Sequence, residues 1–308
     1  VTQRPGPDPT ELLKRVRRIQ IRTAHRVSEA LAGQYHSAFR GQGIEFEEVR
    51  PYQVGDDVRL IDWNVSARFA EPFIKLFKEE RELVVVLAVD ISGSMEFGSI
   101  GSTKRELVAE LAATIAVSAD RNGDRTGLFL FSDRVEQWLP PRRGPRHTLR
   151  IVRDLLAHEA PLPAADRPGT DLEHTLMELS RVLRKRSVVF VISDFLAPAA
   201  GGPHAAEHAL RVLRMRHDLV PVVVGDRRER ELPDVGMIEL KDRETGRAVV
   251  LDTSSRRVRR RFADQARLDA EERVRLFRRL RVDPIEISTG QDFMAALTRS
   301  FERRERRR

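Results

Sequence analysis

Residues 84–95 of the chain read Val84-Val85-Val86-Leu87-Ala88-Val89-Asp90-Ile91-Ser92-Gly93-Ser94-Met95. An apolar run without polar alternation predicts a strand buried on both faces, of the kind found at the centre of a parallel sheet covered by helices. The run stops on a carboxylate followed by two hydroxyls. In open α/β sheets, ligands gather in the crevice outside the carboxyl ends of the strands. Asp90, Ser92 and Ser94 are therefore the first candidates for a functional site.

Three oxygens at alternate positions face one point if the loop curls around it. Hard divalent cations take oxygen ligands, and Mg²⁺ wants a near-octahedral set at about 2.0–2.1 Å. Three positions cannot fill that set, and two later segments offer more. Pro168-Gly169-Thr170-Asp171 opens a predicted helix, and Val188-Val189-Phe190-Val191-Ile192-Ser193-Asp194 is a second strand of the buried type that also ends on a carboxylate. The plainer alternative is that Asp90 and the serines cap the helix that follows.

Asp90-x-Ser92-x-Ser94, then Thr170, then Asp194, resembles the five-residue metal-ion-dependent adhesion site of von Willebrand factor A domains, in that family's chain order. The resemblance implies Mg²⁺, with Mn²⁺ or Ca²⁺ as alternatives. It also implies direct ligation by Ser92, Ser94 and Thr170, with Asp90 and Asp194 balancing charge, often through water. A last coordination position is left for a carboxylate from a protein partner.

Composition sets the outer limits. A chain of 308 residues is long enough for a substantial core. With no cysteine, disulfides, iron–sulfur clusters and thiolate zinc sites are excluded. No apolar run approaches the roughly 18 residues needed to span a bilayer, and Val1-Thr2-Gln3-Arg4-Pro5 lacks a signal-peptide pattern, so a cytoplasmic location is expected. The net charge of +8 raises the question of nucleic acid, but the basic residues are interleaved with acidic ones and aromatics are only 6%, so solvated helix faces are the favoured reading.

From the amino end, Thr10 to Gly33 predicts one amphipathic helix, with Leu12, Val16, Ile19, Val27 and Leu31 on one face and Arg15, Arg18, Arg22 and Arg26 on the other. Ile44 to Tyr52 has strand character, Gly55-Asp56-Asp57 reads as a turn, a short helix is expected from Val58 into Trp63, and Phe73 to Phe77 reads as a strand. This segment, with its Gly-x-Gly-x-Glu-Phe, Arg-x-Tyr, Gly-Asp-Asp-x-Arg and Ile-Asp-Trp run, resembles the bacterial and archaeal domain of unknown function fifty-eight. That family places the signature in front of a von Willebrand factor A-like domain, and the resemblance implies a MoxR-type AAA+ ATPase as partner. Taken alone, Asp56, Asp57 and Asp62 suit either a second cation site or ion pairs with Arg50, Arg59 and Arg68, of which ion pairs are the commoner outcome.

Beyond the first strand, helix and strand patterns alternate. Helices are expected over Lys104–Ala119, Pro145–Ala157, Asp171–Arg184, His204–Arg216, Ser254–Leu280 and Asp292–Phe301. Strands are expected over Arg125–Phe131, Val135–Leu139, Ser187–Ser193, Leu219–Val224 and Pro284–Ser288, with a surface hairpin around Glu244-Thr245-Gly246-Arg247 and a frayed arginine-rich end. The fold expected is α/β: a doubly wound, mostly parallel sheet over 81–308, behind an amino-terminal helix at 1–33 and a small β-containing segment at 34–80.

Rival chemistries can be weighed on the same residues. His204-Ala205-Ala206-Glu207-His208 matches the inverted zinc-peptidase pattern, two imidazoles on one helix face with a general base between them. An aspartyl-phosphate enzyme needs a second carboxylate where Ser92 stands. The glycine-rich Gly98 to Lys104 stretch has its lysine misplaced for a phosphate-binding loop. The expected function is thus a non-enzymatic, metal-dependent protein-binding module; a zinc hydrolase or a nucleic-acid-binding surface are the alternatives.

Overall fold

The computed structural model describes residues 9–27, 29–39, 44–69, 71–79, 82–158, 171–196, 205–241 and 248–307. Strand β3 (Val84–Asp90) is the centre. It pairs in parallel with β4 (Arg125–Phe131) on one side and β6 (Val188–Ser193) on the other. β7 (Asp218–Gly225) and β10 (Ile285–Ser288) extend the sheet beyond β6, while β5 (Val135–Arg142) closes the opposite edge antiparallel to β4. The spatial order is β10-β7-β6-β3-β4-β5. This is the doubly wound arrangement expected, with the topological switch between β3 and β6.

Alternation along β3 feeds two cores. Val85, Leu87 and Val89 point into a layer formed by α1 (Pro9–Arg26), α2 (Glu29–Phe39), α4 (Lys104–Arg121), α5 (Pro145–Ala157) and α9 (Met294–Arg306). Val86 and Ala88 point into the opposite layer, which contains α6 (Leu172–Val182), α7 (Ala205–Arg216) and the carboxyl end of α8 (Arg256–Leu280). A strand buried on both faces must be apolar at every position, which is why its sequence shows no alternation. The helices start where local chemistry dictates. Thr103 and Glu106 form a reciprocal capping box on α4, and Asp171 accepts the His174 amide at 2.9 Å to cap α6.

The single helix expected over Thr10–Gly33 is in fact two. α1 ends at Arg26, and α2 runs through Gly33 to Phe39. The continuation is held by tertiary packing: Tyr35, Ala38 and Phe39 are buried, and Tyr35 donates to Asp124 at 2.9 Å. The last helix also exceeds the expectation. α9 reaches Arg306 because Arg304 stacks over the Phe39 ring at 4.9 Å and pairs with Asp218, so the arginine-rich end is anchored where fraying was expected.

The 44–79 segment forms its own antiparallel pair, β1 (Ile44–Pro51) with β2 (Phe73–Glu79). The short helix expected from Val58 splits into a 3₁₀ turn at Val58–Leu60 and α3 (Trp63–Phe69), because Ile61 instead bridges to Ile74. A second pair, β8 (Met237–Lys241) with β9 (Ala248–Asp252), is the expected surface hairpin; its turn at 242–247 lies outside the described residues.

Candidate functional site

The crevice at the switch point is built from the ends of β3 and β6. Asp90 is the last residue of β3 and is 2% exposed. Its Oδ1 accepts the Ser92 amide at 2.9 Å, and its Oδ2 accepts the Ser193 hydroxyl at 2.7 Å. Gly93–Glu96 then winds into a 3₁₀ turn, which brings the Ser92 and Ser94 hydroxyl oxygens within 3.1 Å of each other. Neither serine makes a side-chain cap to that turn or to α4, which Thr103 caps, so the capping alternative for the serines is not what the structure shows.

Asp194 follows β6 directly and is also buried. Its Oδ1 accepts the Leu196 amide at 3.1 Å and its Oδ2 accepts Lys104 Nζ at 2.9 Å. The same ammonium donates to Glu229 at 2.5 Å, and Lys104 is 0% exposed. Phe195, the next residue, has φ 50°, a left-handed conformation that costs a non-glycine residue about 1–2 kcal/mol. Packing pins it there: Phe195 is buried edge-on against Phe277, with ring centroids 5.2 Å apart.

The two aspartates titrate in opposite directions. Burial raises Asp90 to a pKa of about 6, helped by the Asp194 charge and resisted by hydrogen bonds from Ser92 and Ser193. Burial pushes Asp194 the same way, but the Lys104 charge and hydrogen bonds from Ser94, Lys104 and Leu196 hold it below the usual carboxylate range. Lys104 in turn stays protonated against burial because Asp194 and Glu229 flank it, and burial raises Glu229.

Two of the three carboxylates, Asp194 and Glu229, therefore share one ammonium, and among the described residues no cation lies within ion-pair distance of Asp90. The side chains nearest it include the Ser92 and Ser193 hydroxyls, with Ser94 beside Ser92, oxygen ligands of the kind that hard divalent cations take. Among the described residues no three His, Asp or Glu side chains gather as ligands, so an ion held at this point depends on the Ser92 and Ser94 hydroxyls. The residues present fit such an ion. Thr170, the remaining residue of the expected set, lies outside the described residues, and its neighbour Asp171 is occupied in capping α6.

Sequence reasoning missed Lys104, Ser193 and Glu229. Lys104 had a legible signal, since it lies on the helical stripe of Val108, Leu111 and Ile115, all buried. A third strand-end carboxylate, Asp226 after β7, was also missed. It accepts the Ser99 amide and hydroxyl at 2.8 and 2.5 Å, the Arg228 amide at 2.7 Å and the Thr289 hydroxyl. Through that pairing the glycine-rich 98–104 stretch ties the start of α4 to the end of β7, which is a structural role.

The remaining candidates resolve into ion pairs. Arg50 grips Asp56 through two contacts of 2.8 Å, Asp57 caps the 58–60 turn and meets Arg59 Nε at 3.2 Å, and Asp62 caps α3 and meets Lys75 at 3.2 Å. In the zinc-peptidase pattern, Glu207 is bound by Arg211 at 2.8 Å and Arg279 at 2.9 Å, and His208 is exposed; His204 lies outside the described residues. The basic face of α1 is partly neutralised, with Arg22 and Arg26 on Glu110 and Arg15 on Glu106.

Residues 48–272 match the family model described as protein of unknown function DUF58. The chain belongs to that family. The DUF58 match begins inside the β1–β2 unit and runs to the middle of α8, so it contains both strand-end aspartates and Lys104. An uncharacterized protein of Mycobacterium tuberculosis, Rv1480, is 32% identical over 304 residues, which cover 97% of this chain and 92% of the relative. Similar solved structures include the conserved hypothetical protein BatB from Bacteroides thetaiotaomicron, with 14% identity, 73% of this chain and 99% of that one covered, and a TM-score of 0.45. Another is a von Willebrand factor type A protein from Catenulispora acidiphila, with 12% identity, 76% and 43% covered, and a TM-score of 0.39. Among the described residues no helix is long and apolar enough to cross a membrane.

Proposed function

We propose that this DUF58 protein is a non-enzymatic module that captures a protein partner through a divalent metal ion at the β3–β6 switch point. Ser92, Ser94 and Thr170 are the direct ligands in this reading, and Asp90 and Asp194 balance charge. Mg²⁺ is the expected ion, with Mn²⁺ or Ca²⁺ as substitutes. When bound, the ion supplies a Lewis-acidic position for an Asp or Glu of the partner.

The observation that carries the reading is the state of Asp90. A buried carboxylate that takes hydrogen bonds from Ser92 and Ser193 and, among the described residues, no ion pair is costly to ionise above its pKa of about 6, and a cation drawn into the crevice relieves that cost. Lys104 and Glu229 act as positioning residues, fixing Asp194 at the rim of the crevice and keeping its charge permanent. From the family resemblance, the partner system includes a MoxR-type AAA+ ATPase engaged in complex assembly or remodelling, in the cytoplasm. The ion pairs at Glu207 give no support to a zinc hydrolase.

The test is calorimetric titration of Mg²⁺ and Mn²⁺ into chelator-stripped protein. Saturable one-to-one binding that is lost in Asp90→Ala and weakened in Ser92→Ala is expected, with circular dichroism confirming that both variants fold. Binding that survives unchanged in Asp90→Ala overturns the reading.

A further inference from the structure

The chain's net charge of +8 is unevenly placed. α1 and α5 together hold nine Lys or Arg side chains and two acidic ones. The two helices pack against each other on the same side of the sheet, with Leu12, Val16 and Ile19 of α1 and Ile151, Val152 and Leu155 of α5 turned to the core. Their other faces meet water. On α1 the outward stripe runs through Leu13, Arg17 and Ile21 in steps of four residues, with Lys14 and Arg18 beside it. Leu13 and Ile21 are 64% and 63% exposed, so two aliphatic side chains stand in water among cations.

Carboxylates engage only part of this surface. Glu11 and Glu106 meet Arg15, Glu110 meets Arg22 and Arg26, Asp292 also meets Arg26, and Asp154 meets Arg150 and Arg153. Lys14, Arg17, Arg18 and Arg146 are exposed and make no ion pair among the described residues. Counting the acids supplied by neighbouring elements, and Glu29 where α2 begins, leaves nine bases to six acids. A face that stays cationic after its carboxylates are engaged is complementary to a polyanion. Two features choose among polyanions. Neither helix carries Phe, Tyr or Trp, so the bases of a single-stranded nucleic acid find nothing to stack on. Leu13 and Ile21 between cations suit the headgroup layer of a bilayer, where acyl chains take the aliphatic groups and lipid phosphates take the charge.

We infer that the α1–α5 face docks on the surface of an anionic lipid bilayer, with Lys14, Arg17, Arg18 and Arg146 on headgroup phosphates and Leu13 and Ile21 dipping between them. For these two helices this replaces the solvated face expected from composition. The inference does not use the metal site, and its test is run in EDTA so that the two readings fail separately.

The test is sedimentation of the full chain with vesicles of phosphatidylcholine alone, or of phosphatidylcholine with about one third phosphatidylglycerol. Binding is expected to the anionic vesicles only, and it should fall steeply as added salt screens the attraction. Each cation near an anionic leaflet contributes about fivefold, so Lys14→Gln/Arg17→Gln/Arg18→Gln should weaken binding about a hundredfold. Leu13→Ser/Ile21→Ser should weaken it about tenfold and leave the salt dependence in place. The control is Arg256→Gln/Arg257→Gln/Arg261→Gln, which removes the same charge from exposed positions of α8, whose buried end lies in the opposite layer; it should change binding by less than about twofold. All of these positions are exposed, so the variants should fold, as circular dichroism will check. No binding to the anionic vesicles, equal binding to both kinds, or an equal loss in the α8 control overturns the inference. A duplex oligonucleotide that binds through Lys14, Arg17 and Arg18 more tightly than the vesicles do also overturns it and assigns the face to nucleic acid.

Discussion

Asp90 ends β3 and Asp194 follows the last residue of the adjacent parallel strand β6; both are buried, yet their charges are handled in opposite ways. The β6 end carries its own cation: Lys104 reaches from the first turn of α4 and is fully enclosed between Asp194 and Glu229. The β3 carboxylate takes hydrogen bonds from the Ser92 amide and from the Ser193 and Ser92 hydroxyls, and among the described residues no ion pair. Further along the sheet, Asp226 is held ionised, against burial, by hydrogen bonds from Ser99, Thr289 and Arg228. The lesson is that strand-end position brings carboxylates together, whereas the neighbours decide which of them still needs a cation. Of these three, Asp194 has a lysine on it, Asp226 is held by hydrogen bonds, and Asp90 is the one whose pKa is raised.

The largest effect should come from removing the built-in cation. Lys104→Met leaves two carboxylates facing each other in a buried site, and breaking a buried ion pair by truncating one partner costs about 3–5 kcal/mol. Urea denaturation of the metal-free protein should show that loss. Saturating Mn²⁺ should return part of it, since an ion that binds only the folded state stabilises by mass action. A loss below about 1 kcal/mol, the scale of an exposed pair, would mean that the ammonium is not what keeps Asp194 ionised.

How much of this was legible depends on whether a residue's role is set by its neighbours in the chain or across the fold. The β3 run and the two strand-end aspartates were readable because buried parallel strands have no polar alternation and end at the ligand side. The ion-paired turn around Asp56 was readable from local charge. Lys104 was not read, because a lysine opening a helix is ordinarily solvated, and only its place on the Val108 and Leu111 stripe hinted otherwise. Ser193, quoted only as part of a strand, proved to bind a carboxylate 103 residues away. The break between α1 and α2 and the anchoring of Arg304 were hidden for the same reason: Tyr35, Phe39 and Asp218 are distant in sequence. The 48–272 family match says nothing of charge balance either, and that had to come from geometry.

An intermediate effect, opposite in sign, is expected at the other strand end. In metal-free protein the Asp90 pKa is about 6 against an ordinary 3.8, so between those values the folded state holds more proton than the unfolded one. Stability contributed by this group is therefore greatest at low pH, falls as pH rises through that window, and is lowest above it. Asp90→Asn keeps an oxygen for the Ser92 amide and an NH₂ for the Ser193 oxygen while removing the charge. At pH 8 it should raise stability, by at most about 3 kcal/mol. The gain should vanish below about pH 4, where both states are protonated. Thermal unfolding in EDTA across pH 4–8 measures it; a gain that does not change with pH would place the cost of Asp90 in packing and remove the case for a missing cation.

The smallest effect tests the link between the two ends. The Ser193 hydroxyl donates to Asp90 Oδ2 and accepts the Phe195 amide at 3.0 Å, so one atom joins the β3 carboxylate to the strained turn that follows Asp194. Ser193→Ala removes both bonds, and losing a buried hydrogen bond costs about 1–2 kcal/mol net. The two parts separate by pH. The bond to Asp90 is charge-assisted only while that carboxylate is ionised, so its share should shrink as pH falls through 6, whereas the Phe195 share should not. A cost that is the same at pH 8 and pH 4 assigns the hydroxyl to the backbone turn alone, and the contrast between the two strand ends then rests on Lys104 without help from Ser193.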